Sequence, residues 1–266
     1  MKERIGRVDA RSILVLMTLV ALCASAVAQE NTAESWYKKG HDLVANQSYE
    51  EAIQAYDQAL KIDPNYGDAW RDRGYTLTTL ASFNGDLNKY NQSIQSFDKA
   101  IELIPANDTT SLALSWEGKA LALTSRGNAL ADLARSSRSE AIQCYDKAIE
   151  LDTSFTGLEA QLYRAGVLSD LGMYNESVAA YDKIIETMPA NDTQYTSMAW
   201  AHKGSVLEKI GKKEDALKEF DKAIELDPTN AIAWAGKGKA LKSLGRNSEA
   251  DTAFAKAKEL GITNPS

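Results

Sequence analysis

The segment FDKAIELDP, from Phe220 to Pro228, decides the fold of this chain because near-copies of it recur along the sequence. It begins with an aromatic residue, continues with Asp-Lys and Ala, and ends at a proline. The related segments are YDQALKIDP (56–64), FDKAIELIP (97–105), YDKAIELD (145–152), YDKIIETMP (181–189) and FAKAKELG (254–261). Successive copies begin 34 to 48 residues apart. Self-similarity at such a period indicates an array of structural repeats.

A different apolar pattern precedes each copy and predicts another helix. In the first repeat, Trp36, Gly40 and Leu43 share one helical face. A turn at 45–48 leads to a second face at spacings of three and four, which Pro64 ends. This pattern predicts two short amphipathic helices joined by a tight turn. The small residues at the first face predict close approach of the two helix backbones.

The order of Trp, Gly four residues later, Leu, Ala, an aromatic residue, Ala and Pro resembles the tetratricopeptide repeat (TPR). The resemblance covers residues 33–260 and implies an all-α fold, a right-handed α-solenoid of about six helix-turn-helix repeats. Stacking follows from physical grounds too, since one helix pair cannot bury its apolar face alone. The predicted solenoid spans 29–266, with repeats at about 33–66, 67–107, 113–155, 158–191, 197–230 and 231–260.

The departures from a 34-residue period predict local changes. About seven extra residues near 81–89 and nine near 126–136 are expected to lengthen the helices of the second and third repeats. The motif Pro-Ala-Asn-Asp-Thr occurs twice, and Asp108 and Asp192 within it are predicted to cap the next helices.

Composition and the N-terminus bear on partners and location. The net charge of −7 argues against nucleic acid as the main partner. Four basic residues precede an apolar run from Ile13 to about Ala28, with small residues at its exit, which predicts a signal peptide over 1–28. An uncleaved membrane anchor is the alternative. The protein is therefore expected outside the cytoplasm or in the cell envelope, and Cys144 would be the only cysteine of the mature chain.

Because export is expected, five Asn-x-Ser/Thr sequons are relevant as candidate glycosylation sites. They are interpreted either as glycan sites on exposed loops or as ordinary turn and cap residues. The sequon asparagines are Asn46, Asn91, Asn107, Asn175 and Asn191.

No motif predicts a catalytic site, a metal or another cofactor. His41 and His202 are isolated in the sequence, and no Cys/His spacing suits a metal. The Asp-Lys…Glu pattern recurs in register on the second helix of each repeat, which favours a solvated charged face with local ion pairs.

The resemblance implies that peptides or partner proteins bind along the first helices. In chaperone-binding members of the family, Lys, Asn and Arg hold a terminal carboxylate; here Tyr37 and His41 replace the expected Lys and Asn, and Thr78 and Thr79 carry no charge. That mode is not expected, and a groove for an extended peptide or a helix is predicted instead. The predicted groove residues are Tyr37, His41, Arg71, Tyr75, Thr78, Glu117, Leu121, Leu162 and Lys239.

Three functions are open at this point. The first is a non-catalytic scaffold that binds a protein or peptide outside the cytoplasm. The second is a self-associating structural component of a cell-envelope assembly, with the lengthened repeats or the last helix as the interface. The third, an enzyme, lacks a catalytic constellation.

Overall fold

The computed structural model describes residues 31–129, 134–152, 155–189 and 192–263. These residues are helical, without a strand, in agreement with the predicted all-α fold. The predicted signal peptide or anchor, the sequon at Asn191 and the middle of the third-repeat insertion lie outside the described residues. No helix in the described ranges is both long and apolar enough to span a membrane.

The chain divides into two compact units, Met1–Pro105 and Ala106–Ser266. The described helices of the first unit are α1 (Ala33–Ala45), α2 (Tyr49–Ile62), α3 (Gly67–Asn84) and α4 (Leu87–Leu103). Those of the second unit are α5 (Thr109–Ala129), α6 (Ala134–Leu151), α7 (Phe155–Asp170), α8 (Tyr174–Thr187), α9 (Thr193–Lys209), α10 (Lys213–Leu226), α11 (Ala231–Ser243) and α12 (Asn247–Glu259).

The helices form consecutive pairs. The odd-numbered helix of each pair, here called the first helix, packs against the even-numbered second helix that follows it. Within the second unit, α5, α7, α9 and α11 also contact one another in succession, so the first helices form one continuous face. This first-helix face is where the resemblance places the binding groove.

Side-chain caps fix the beginning of several helices. The Asp108 carboxylate accepts a hydrogen bond from the Ser111 amide (3.1 Å), and that of Asp192 accepts one from the Tyr195 amide (3.2 Å). Both predicted caps are thereby confirmed. The prolines at 64, 105, 189 and 228 each follow a helix end by two residues, as the sequence predicts. The helices are therefore delimited by local side-chain chemistry and by proline.

A small residue on the first helix faces an aromatic ring on the second. A Cβ atom added to Gly40 would lie 2.4 Å from Cε1 of Tyr56, whose side chain is fully buried. Gly204 meets Phe220 in the same way, with a Cβ distance of 2.9 Å. The small residue thus admits an aromatic ring of the second helix against the backbone of the first, and no methyl group fits between them.

Two of the sequons lie within helices, and their serines take part in the packing between helices. Asn91 lies within α4 and Asn175 within α8, and the serines of these sequons, Ser93 and Ser177, are fully buried. Ser177 donates a hydrogen bond to the Ala165 carbonyl oxygen across the helix pair (2.7 Å). The expectation of exposed loops is therefore wrong at these two sites. It holds for Asn46 and Asn107, which are exposed between helices.

Ion pairs join neighbouring repeats at a recurring position. The basic residue three positions after the first-helix Trp bridges to the Asp of the preceding repeat's segment, as in Arg73–Asp57 (2.7 Å) and Lys203–Asp182 (2.7 Å). The same basic residue lies over the Trp ring, with Lys203 Nζ 5.0 Å from the Trp200 centroid. Equivalent pairs are Arg164–Asp146 and Lys237–Asp221. The sequence motif thus links repeats as well as building each one.

The insertions lengthen the helices as predicted. Helices α3 and α4 have 18 and 17 residues, and α5 and α6 have 21 and 18, compared with 13 and 14 in the first pair. The lengthened end of α3 carries Phe83, which is 71% exposed and lies 5.9 Å from the Tyr49 ring. The second pair therefore presents an exposed aromatic patch.

Candidate binding cavity on the first-helix face

A cavity of about 270 Å³ opens on the first-helix face of the second unit. Three successive first helices, α5, α7 and α9, supply most of its wall, and two second helices, α6 and α8, contribute one tyrosine each. Its lining residues are Leu121, Thr124, Tyr145, Glu159, Leu162, Tyr163, Gly166, Val167, Asp170, Tyr181, Tyr195, Met198 and His202.

The missing side chain of Gly166 leaves part of this space open. A Cβ atom at this position would meet only the Tyr181 hydroxyl, at an ordinary contact distance of 3.6 Å. Gly166 is therefore unlike Gly40 and Gly204, since no ring packs against its backbone. Below it, Tyr145 and Tyr181 are buried and close the cavity from the side of the second helices.

Aromatic rings form the upper wall. The Tyr163 side chain is 48% exposed, and its ring stacks 6.3 Å from that of Tyr145 with an interplanar angle of 23°. The Tyr195 hydroxyl donates a hydrogen bond to Glu159 Oε1 (2.9 Å), which ties α9 to α7. The His202 ring stacks on Tyr181 at 6.0 Å, and burial lowers the pKa of His202 below its ordinary value. At neutral pH the imidazole is therefore uncharged.

Two carboxylates without an ion-pair partner lie beside these rings. Glu117, one helical turn before Leu121 on α5, is 8% exposed and forms no ion pair or hydrogen bond with a described residue. Burial raises the pKa of Glu117 to about 7, and the charge of Glu159 adds to the increase. Glu159 forms no ion pair in the described ranges either. The nearest cation at the rim is Lys209, whose Nζ lies 3.6 Å from Asp170 and 3.1 Å from Ser169 Oγ.

Burial also perturbs the tyrosines of the wall. Burial, followed by the hydrogen bond to Glu159, raises the pKa of Tyr195 to about 12. The pKa of Tyr163 is raised first by burial and then by the charges of Glu159 and Glu117. All of these hydroxyls are neutral at physiological pH. The cavity therefore offers aromatic faces, neutral hydroxyl groups and uncompensated negative charge.

The predicted groove residues of the first unit meet in a polar cluster. Asp72 Oδ2 accepts hydrogen bonds from the Tyr37 hydroxyl (2.8 Å) and, depending on its tautomer, from His41 Nε2 (2.9 Å). Arg71 Nε donates to Asp72 Oδ1 (3.0 Å). The Asp72 carboxylate thus adds negative charge beside Tyr37 and His41, the positions where the resemblance calls for Lys and Asn. The structure gives a further reason against that binding mode.

The other predicted groove residues occupy different environments. Thr78 is 5% exposed, and its hydroxyl lies 2.6 Å from Ser93 Oγ between α3 and α4, so the expectation of an exposed groove residue is wrong there. Tyr75 is half-buried, with its ring edge-on to Phe97 at 5.0 Å. Lys239 is exposed on α11. Of the remaining predicted residues, Leu121 and Leu162 line the cavity and Glu117 lies beside it.

Sequence reasoning missed most of the lining residues that reach the cavity from first helices, including Glu159, Tyr163, Tyr195, Met198 and His202. Two regular stripes could have indicated them. Positions 159, 163, 166 and 170 follow one face of α7, and positions 195, 198 and 202 follow one face of α9. Tyr195 lies in the extra first turn that the Asp192 cap adds, outside the repeat pattern.

No group of three or more His, Cys, Asp or Glu in the described ranges is arranged to hold a metal ion. The cavity has no Ser, Cys or Lys among its lining residues, and its histidine is stacked and neutral.

Two family models match the chain, one set of matches falling in each unit. The model described as "TPR repeat" matches residues 40–80 and 204–245, and the model described as "Tetratricopeptide repeat" matches 75–107 and 231–260. Together with the tandem helix pairs, these matches identify the class of protein. The chain belongs to the tetratricopeptide-repeat proteins, and the predicted α-solenoid fold class is confirmed.

Known proteins resemble the chain over most of its length. The Hsp70-Hsp90 organizing protein of Triticum aestivum is 28% identical over 232 aligned residues, and the match covers 77% of this chain and 36% of that protein. The chain spans about a third of the length of this relative and of the Hsp70-Hsp90 organizing protein 2 of Arabidopsis thaliana. In fold, it is similar to PilW, a type IV pilus biogenesis factor (TM-score 0.65, 19% identity, 85% of this chain and 92% of that one). A TPR repeat-containing protein from Cytophaga hutchinsonii is also similar (TM-score 0.61, 18% identity, 84% and 78%).

Proposed function

We propose that the chain is a non-catalytic scaffold that binds a partner protein or peptide along its first-helix face. The observation that carries this proposal is the cavity in the second unit, which is open and lined mainly by aromatic and aliphatic side chains. Its tyrosines have large contact areas at low entropic cost, as is common in protein interfaces. The name of the wheat relative, an organizing protein, and the TPR fold both favour a protein-interaction scaffold.

The partner need not be that of the relative. In the first unit, Asp72 is hydrogen-bonded to Tyr37, His41 and Arg71, so Arg71 is not free to bind a terminal carboxylate. We therefore place the main contact with the partner on the first-helix face of the second unit.

Affinity capture with variants tests the scaffold function. The full chain, immobilised, is incubated with an extract of its own cells, and bound proteins are quantified by mass spectrometry. Gly166→Leu, which fills the cavity, is expected to lose the specific partners, and Tyr37→Ala/Tyr75→Ala to weaken them. Glu225→Gln, an exposed change on α10, is the control and retains them. Equal capture by all variants contradicts the proposed binding face.

We also propose that this scaffold acts outside the cytoplasm, because of the basic and apolar pattern of residues 1–28. Mass spectrometry of the protein recovered from its own cells provides the test. A mature N-terminus after Ala26 or Ala28 supports a cleaved signal, and an intact N-terminus in the membrane fraction supports an anchor. An intact chain in the cytosolic fraction contradicts export.

Self-association in a cell-envelope assembly is a second candidate, favoured by the exposed aromatic patch of Phe83 and Tyr49. Exposed aromatic residues of this kind are typical of interfaces. Light scattering of the full chain at micromolar concentration should then give an oligomer that Phe83→Ser dissociates. A monomer whose mass is unchanged in Phe83→Ser removes this candidate.

A further inference from the structure

The charges around the cavity are unbalanced in one direction. Among the described residues, buried Glu117 has no hydrogen-bond or ion-pair partner, and Glu159 accepts a hydrogen bond from the neutral Tyr195 hydroxyl but forms no ion pair. Elsewhere in the second unit, partly buried carboxylates have cationic partners, as in Lys203 with Asp182 and Glu219. A buried carboxylate without such a partner is energetically costly. The cavity therefore favours a positive charge that none of the described residues supplies.

The aromatic lining selects the same chemistry. Tyrosine faces attract ammonium and guanidinium groups through the ring quadrupole, most strongly where water is excluded. Tyr145, Tyr163, Tyr181 and Tyr195 all line the cavity, and their hydroxyls remain protonated at neutral pH. An anion would find no cation inside, since His202 is uncharged and Lys209 is engaged at the rim.

The size of the cavity limits the occupant to part of a larger ligand. A volume of about 270 Å³ is below the usual range for whole small-molecule ligands but admits one long side chain. The half-exposed Tyr163 and the open position at Gly166 leave an entrance from the first-helix face.

We infer that the second unit binds a basic segment of its partner by inserting one lysine or arginine side chain among these tyrosines, beside Glu117 and Glu159. The inference rests on the proposed scaffold function and adds the chemical class of the ligand. Insertion places the cationic head near both carboxylates and the methylene stem against Leu121, Leu162 and Val167. The overall net charge of −7 favours approach of a basic segment.

Side-chain mimics test this inference on the full chain. The probes are n-butylguanidinium and n-butylurea, which have nearly the same shape and differ in charge. Ligand-observed NMR titration is expected to give a dissociation constant of about 1 mM for the cation and at least about tenfold weaker binding of the urea. Equal affinity for the two probes overturns the inference.

Variants locate the effect. Glu117→Gln/Glu159→Gln is expected to abolish the preference for the cation, while Gly166→Leu is expected to abolish binding of both probes. Glu225→Gln removes one exposed carboxylate from α10 and should leave the preference unchanged. Circular dichroism verifies the fold of each variant. If the double variant does not fold, probe binding by Gly166→Leu alone tests whether the cavity is the binding site. A preference that persists in Gly166→Leu contradicts binding in this cavity.

The pH dependence supplies an independent readout. Glu117 interacts electrostatically with Glu159, Tyr163 and Tyr145, and burial raises the pKa of Glu117 to about 7. The preference for n-butylguanidinium should therefore increase between pH 5.5 and pH 8, and Glu117→Gln should flatten this increase. Asp170 with Lys209, Tyr181, Tyr195 and His202 complete the titratable groups of the cavity. A pH-independent preference in the unmodified chain contradicts the role of Glu117.

Failure of the inference is distinguishable from failure of the scaffold function. Capture of partners that is lost in Gly166→Leu, without a preference for the cationic probe, overturns the ligand class and leaves the scaffold standing. A clear preference for the cation, with partner capture unaffected by Gly166→Leu, supports the cavity chemistry and overturns the proposed binding face.

Discussion

At the residue scale, the presence or absence of one methyl group decides how closely the helices of a repeat pack. Gly40 lies against the buried ring of Tyr56, whereas the equivalent residue in the fourth repeat is Ala165. Gly166, next to it, faces open space instead of a ring. The two glycines therefore have different roles. Gly40 allows an aromatic ring to contact the helix backbone, whereas Gly166 leaves space for the cavity.

Alanine at these two glycines should have effects of opposite sign. Gly40→Ala places Cβ 2.4 Å from a ring that cannot move, so it should reduce the free energy of unfolding by about 1–3 kcal/mol. Gly166→Ala meets only an ordinary contact and gains helix propensity, so it should increase stability by up to about 1 kcal/mol. Urea unfolding compares the two, and a stabilising Gly40→Ala would contradict the packing described.

The buried carboxyl of Glu117 predicts a pH-dependent stability. Its pKa is raised from 4.5 to about 7 in the folded chain, so the folded state binds the proton more tightly than the unfolded state. The stabilisation is complete below pH 4.5 and is lost as the pH rises to about 7. The loss amounts to about 3 kcal/mol if the full shift is realised.

Glu117→Gln should remove this pH dependence. Compared with the unmodified chain, the variant should be more stable at pH 8 by up to about 3 kcal/mol and closer to it in stability at pH 4.5. Urea unfolding at the two pH values measures the difference, with Glu225→Gln as a control. An equal effect of Glu117→Gln at both pH values would argue against a buried, titrating carboxyl.

At the element scale, the sequence predicts the helix pairs well because their determinants are local. Periodicity, the prolines and the caps at Asp108 and Asp192 each act within a few residues. The cavity could not be predicted in the same way, since its wall combines side chains from five helices. Thr78 illustrates the limit: its place on α3 matched the groove pattern, but its side chain is buried with the hydroxyl against Ser93 Oγ.

The ion pairs between repeats should contribute modestly to stability. Lys203 is largely buried between Trp200 and Asp182 and also reaches Glu219 (3.3 Å), while Asp182 is partly exposed. A double-mutant cycle with Lys203→Met and Asp182→Asn should give a coupling energy of about 0.5–1 kcal/mol. The coupling should decrease in 1 M salt. A coupling energy near zero would mean that this ion pair does not stabilise the fold.

A missing tryptophan predicts an engineered gain in stability. Gln161 occupies the position that is Trp36, Trp70, Trp116, Trp200 and Trp234 in the other repeats. Beside it lies an outer cleft of about 850 Å³ lined in part by Ile149, Leu158 and Ile184. Gln161→Trp should bury aromatic area there and increase the free energy of unfolding by about 1–2 kcal/mol. Gln161→Ala is the control, and equal stability of the two variants would mean that the indole does not enter the cleft.

At the scale of the whole molecule, the repeats supply a scaffold and the departures from the repeat supply the specificity. The cavity depends on features that only one or two repeats have: the extra helical turn that carries Tyr195, the glycine at 166 and a Glu117 carboxyl without an ion-pair partner among the described residues. An acidic chain with such a cavity is suited to a basic partner. The fold class alone does not identify that partner, because many functions share it.

Photo-crosslinking in the cell of origin is the most direct test of whether a basic partner segment binds in the cavity. Benzoylphenylalanine replaces Tyr163 at the cavity entrance or, as a control, Glu225 on the outer surface of α10. We expect a discrete partner to be crosslinked from position 163, with a lysine or arginine within a few residues of the crosslinked site. This crosslink should be lost in Gly166→Leu. The same crosslinked proteins from positions 163 and 225, unaffected by Gly166→Leu, would contradict a binding cavity on the first-helix face.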